Sequence, residues 1–106
     1  MPESFENAAA SIQADASDEY QQAYYQGILL ERQARLYTRS DAPGSNFSAY
    51  DLFSEAMRLF EKAERLRPAG NDEALLRWNT CARTITAEKL EPRPLDDFRP
   101  LHDKTF

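Results

Sequence analysis

The chain has 106 residues, with 18 Asp and Glu against 13 Lys and Arg, a net charge of -5, and 42% hydrophobic residues. That is one domain, large enough for a single core burying roughly two-thirds of the unfolded surface, and its acidic balance speaks against nucleic acid as a partner. The single cysteine rules out an internal disulfide, and with no bilayer-spanning apolar run and no basic, apolar secretory start the expectation is a cytoplasmic protein away from membranes.

Residues 1–16 are Ala-rich and acidic, with Phe5, Ala9, Ile12 and Ala16 on a helical stripe. Such a segment is either a marginal helix docked through Phe5 and Ile12 or an acidic arm. The whole charge excess lies here and just beyond, in Glu3, Glu6, Asp15, Asp18 and Glu19. Ser17 followed by Asp18 and Glu19 reads as a helix cap with an acidic first turn, or as the interior of a longer helix.

From 20 to 37 the positions Tyr20, Ala23, Tyr24, Gly27, Ile28, Leu30, Ala34 and Tyr37 recur at helical steps. Gly27 inside that helix costs about 0.8–1 kcal/mol relative to Ala, a cost that close approach of another helix offsets. Tyr25, Leu29 and Leu36 widen the apolar face. A helix of this kind is wedged between two neighbours, here the next helix and either the N-terminal segment or a partner.

Residues 38–47 (TRSDAPGSNF) read as a surface loop. A second helix follows over 48–67, on the stripe of Ala49, Leu52, Phe53, Ala56, Met57, Leu59, Phe60, Ala63 and Leu66. Ser48 is the expected cap, with Asp51 as a short-armed capping box, and Glu61 with Arg65 forms an i,i+4 pair. Pro68 ends the helix. Asn71 is the expected cap of a third helix over 72–87, whose stripe is Ala74, Leu75, Trp78, Cys81, Ala82 and Ile85. The four-residue link makes the last two helices an antiparallel αα-hairpin, with Phe60 and Trp78 facing each other in the core.

The spacing of Ala56, Phe60, Ala63 and Pro68 resembles the second helix of a tetratricopeptide repeat, and residues 73–82 look like the opening helix of the next repeat. The resemblance covers about half the chain and departs from the family upstream, where a long helix and a Pro43-Gly44 loop replace a compact first helix and short turn. It implies a protein-interaction module. In that family the opening helices line a concave peptide-binding groove, which makes Arg77 and Asn79 candidate contacts.

Beyond Glu88, Pro92, Pro94 and Pro100 forbid a regular helix. The tail 91–106 is expected to pack Leu95, Phe98, Leu101 and Phe106 over the open side of the bundle, the alternative being a linear motif offered to another protein.

No catalytic, cofactor or metal constellation emerges. Cys81 shares the apolar stripe and reads as an inert small hydrophobe. His102, the only histidine, sits in the tail, and one Cys with one His does not make a zinc site. Asp96 and Asp97 lie among prolines and read as solvated. The arginines at 32, 35, 39, 58, 65, 67, 77 and 83 alternate with Glu31, Glu55, Glu61 and Glu64. That is a solvated face, or an anion-recognising rim for an acidic peptide or carboxylate. Candidate partner contacts are therefore Arg32, Arg35, Arg77 and Asn79.

The reading is an all-α antiparallel bundle with tetratricopeptide-like hairpin packing: an arm or marginal helix over 1–16, a helical domain over 17–90, and the proline-rich tail. Its function is that of a non-enzymatic interaction module or adaptor. The rivals are a ligand-binding protein or enzyme using an interhelical pocket near Trp78, Tyr24 and Tyr50, and a self-associating structural subunit. A monomer is favoured over a homodimer, on the expectation that the tail covers the third helix.

Overall fold

The computed structural model describes residues 2–94, with side chains from Asp18 onward. Three helices follow one another: α1 at Pro2–Thr38, α2 at Ser45–Leu66 and α3 at Glu73–Ala87. Short turns lay α2 against α1 and α3 against α2, and no strand occurs among the described residues.

The first helix runs unbroken through residue 17, the longer-helix reading of that stretch. Ser17, Asp18 and Glu19 sit inside it, since no Gly or Pro interrupts residues 3–26. Docking through Phe5 and Ile12 lies outside the described side chains. At the other end the loop is shorter than expected, covering residues 39–44. Ser40 Oγ accepts the Ala42 amide at 3.1 Å, and Gly44 adopts a left-handed φ of 83° that lets the chain turn directly into α2. Ser48 is therefore a helical residue whose amide donates to the Gly44 carbonyl at 3.0 Å, not a cap.

The close of α2 follows from Pro68, which drives Arg67 to φ -67°, ψ 148°. Asp72, not Asn71, takes the cap position of α3. Asn71 still serves the helix, because its Oδ1 accepts the Glu73 amide at 3.0 Å while its Nδ2 donates to the Tyr20 hydroxyl at 2.9 Å. At the far end Lys89 takes φ 56°, its amide donates to Thr86, and the Leu90 amide donates to the Ile85 carbonyl. This is the paired closure that most often uses glycine. It buries Leu90, and Arg93 then lies 4.9 Å over the Phe47 ring, tying the chain after α3 to the start of α2. The expected docking of Leu95, Phe98, Leu101 and Phe106, like everything expected of residues 95–106, lies outside the described residues.

The core is built from small residues around two large rings. Ala34, Ala49, Ala56, Ala63 and Ala74 are sealed, as are Phe53 and Phe60. A Cβ placed on Gly27 meets the Phe60 ring at 2.6 Å, so the glycine is required by the close approach of α1 and α2. Tyr24 packs against Phe60 from α1, ring centroids 5.9 Å apart, and stacks on Tyr20. Burial raises the phenol pKa of Tyr20, against the lowering effect of the Asn71 hydrogen bond.

Trp78 departs from expectation. It is only half-buried, and its indole N–H donates to Glu61 Oε2 at 3.0 Å, which draws Glu61 to Trp78 rather than to Arg65. The physical reason is that α3 seals only Ala74 and Cys81, while Trp78 and Ile85 pack against the core from its edge, Ala82 is half-buried and Leu75 is exposed. No further helix stands there among the described residues.

Candidate functional site

Three charged side chains converge where α1 and α3 meet. Glu31 follows Gly27 by one turn on the face of α1 that buries Tyr20, Ala23 and Ala34, and so the fold carries its carboxylate inward, with 3% of the side chain exposed. Arg35, the next turn on, donates from Nε and Nη2 to Glu31 Oε2 at 3.2 and 2.7 Å. Its Nη1 donates to Thr84 Oγ1 of α3 at 3.4 Å, and its guanidinium lies 5.4 Å from the Phe53 ring centroid. From α3, Arg77 sets Nε 3.5 Å from Glu31 Oε1, close enough for charge attraction, with neither atom hydrogen-bonded. Burying a carboxylate requires this compensation. Two cations face one anion, and both guanidiniums keep over a third of their side chains in solvent, 35% for Arg35 and 40% for Arg77.

Of the four candidate contacts, the structure brings two together. Arg35 and Arg77 share Glu31, whereas Arg32 points outward on α1, and Asn79 lines a different surface. Glu31 itself does not belong to the solvated face. Its signal was its place on the apolar stripe, one turn after Gly27 and three residues before Ala34.

That different surface is a groove between α2 and α3, open to solvent. One hollow of about 370 Å³ is lined by Phe60, Glu61, Leu75, Trp78 and Asn79, and a second of about 390 Å³ by Tyr50, Met57, Glu61 and Ile85. Tyr24 is not part of it, since it packs on Phe60 from α1. The interhelical pocket expected near Trp78, Tyr24 and Tyr50 is thus a shallow groove with two of those three residues. Among the described residues no group of three or more His, Cys, Asp or Glu could hold a metal, and no helix is long and apolar enough to cross a membrane. His102, Asp96 and Asp97 lie outside the described residues.

Cys81 is fully buried beside this cluster, its thiol pKa pushed up to about 12, first by desolvation and then by the Glu31 charge. Near neutral pH such a thiol holds almost no thiolate. Native protein is expected to react with a disulfide reagent far more slowly than unfolded protein, and labelling as fast as that of free cysteine would contradict the structural role. Because the folded pKa is raised, the native state keeps its proton where the unfolded chain loses it. Stability from this group is full below about pH 9 and declines as pH rises toward about 12.

Comparison with protein-family models, with curated proteins and with solved structures gives no match to this chain.

Proposed function

We propose that the chain is a small protein-interaction module with tetratricopeptide-like packing, and that the Arg35–Arg77 pair takes a carboxylate of an acidic partner peptide. The packing reading is supported by the sealed Ala56, Phe60 and Ala63, by Pro68 two residues after the end of α2, and by Gly27 set against the Phe60 ring. The binding reading rests on one observation. Two guanidiniums from different helices are held in place by a buried carboxylate whose single charge neutralises only one of them, and 35% of the Arg35 side chain and 40% of the Arg77 side chain stay open to solvent. Guanidinium donors fixed in this way match a carboxylate's two oxygens. A cytoplasmic site of action belongs to the same reading and accords with a lone, buried thiol.

Selection from a displayed random peptide library tests it. The parent is expected to enrich peptides rich in Asp and Glu, and Arg77→Gln to bind the enriched peptides about tenfold or more weakly, the size of a lost charged hydrogen bond. The variant keeps the two hydrogen bonds from Arg35 to Glu31 and is expected to stay folded with a lowered melting temperature, so binding is compared at a temperature where circular dichroism shows both proteins native. Absence of acidic enrichment, or equal binding by Arg77→Gln, overturns the proposal.

A further inference from the structure

The outward side of α1 carries a second pattern that the fold does not use. Tyr25, Leu29 and Leu36 are 59%, 58% and 65% exposed. They belong to a longer series, Asp18, Gln22, Tyr25, Leu29, Arg32, Leu36 and Arg39, in which every member is exposed and the steps alternate between four and three residues. That alternation is the spacing of the a and d positions of a two-helix coiled coil, here with three apolar members, Tyr25, Leu29 and Leu36, among four polar ones. It is distinct from the face that meets α2, which carries Tyr20, Ala23, Gly27 and Ala34.

Charge along the seam identifies the occupant. Up to residue 22 every charged residue is acidic, and from 32 to 39 every charged residue is an arginine. A helix that is acidic at one end and basic at the other complements itself when turned end for end. Two copies of α1 laid antiparallel about a two-fold axis close to Leu29 bring Asp18 and Glu19 of each alongside Arg39 of the other. The same arrangement sets Leu29 by Leu29 and lifts Arg32 to the level of Tyr25 in the second copy, within reach of its ring. Leu36 then comes level with the other copy's shallow hollow between Gln22, Tyr25 and Asp18, which has a volume of about 340 Å³. A parallel pairing would set acid against acid and base against base.

We infer that the exposed seam of α1 from Asp18 to Arg39 is the interface of an antiparallel, two-fold homodimer. An isologous contact of this type repeats each interaction twice, so modest individual contacts sum to a stable pair. The surface uses none of the Glu31, Arg35 and Arg77 side chains, and therefore stands or falls independently of the peptide-binding reading.

Sedimentation equilibrium on the full chain tests the inference, with circular dichroism to monitor folding. The parent is expected to be a dimer with a dissociation constant in the micromolar range. Leu29→Arg places like charges together at the axis and is expected to raise that constant about a hundredfold or more, with helix content unchanged because Leu29 is exposed. Asp18→Arg removes two symmetry-related ion pairs and is expected to weaken dimerisation about tenfold at low salt. Adding Arg39→Asp reverses both ends of the seam and is expected to restore the parental constant. A monomeric parent, a Leu29→Arg protein that dimerises like the parent, or a reversed-charge double variant no tighter than Asp18→Arg alone each overturns it.

Discussion

Replacing Phe60 with alanine is expected to lower stability by about 3–5 kcal/mol. The ring is sealed from solvent, and it fills the space over Gly27 that no side chain of α1 can occupy. It also meets Tyr24, so its removal strands that ring as well. The surrounding alanines are too small to collapse into the void, which places the cost toward the upper end of that range. Small domains are stable by about 5–15 kcal/mol, and the variant therefore loses a large part of its margin. Urea unfolding followed by circular dichroism measures the change. Trp78→Ala serves as the comparison, with a smaller expected loss because the indole is half in solvent. Equal losses for the two, or a Phe60→Ala protein within a few degrees of the parent in melting, would contradict this account of the core.

Arg35→Met is expected to cost about 3 kcal/mol, at the low end of the range for breaking a buried ion pair. The loss comes from Glu31, which stays buried and charged after its two hydrogen bonds from Arg35 disappear. Arg77 remains 3.5 Å from the other oxygen and moderates the penalty. The mechanism has a corollary that separates it from simple loss of packing. Replacing Glu31 by Met as well removes the stranded carboxylate, and the double variant is expected to recover most of the lost stability. A double variant no more stable than Arg35→Met alone would show that the stem of Arg35 over Phe53, rather than the charge, accounts for the effect.

The two later helices were legible because their period and their punctuation agree. Phe53, Ala56, Phe60 and Ala63 mark one face of α2, and Pro68 stops the chain within two residues of its observed end. The continuity of α1 was harder to read, since Ser17-Asp18-Glu19 has the chemistry of a cap. Cap residues act as caps only where the backbone turns, and nothing in residues 3–26 turns it. At α2 the reverse holds: the helix starts from a left-handed glycine and has no side-chain cap, so its start leaves no Ser48 signature. Within the candidate site, Arg35 and Arg77 stood out by residue type, but Glu31 was grouped with the solvated glutamates. By charge Glu31 resembles the solvated glutamates, whereas its position on the stripe buries it. Trp78 was placed in the core for the complementary reason: an apolar stripe shows that a face exists, not that a neighbour is present to cover it.

The links between the first and third helices also bear on the chain statistics of folding. The α1–α2 and α2–α3 pairings join consecutive segments through short turns and close small loops. Tyr20 to Asn71 and Arg35 to Thr84 instead join residues 51 and 49 positions apart. Closing a loop costs entropy that grows with the logarithm of its length, about 0.6 kcal/mol for each doubling. Each of these links is a single hydrogen bond, worth about 1 kcal/mol net. Neither repays that closure alone; both become favourable once α2 has already brought its two neighbours together. These two hydrogen bonds, together with the Arg77–Glu31 ion pair, thus act as a clasp that fastens after the apolar hairpins have closed.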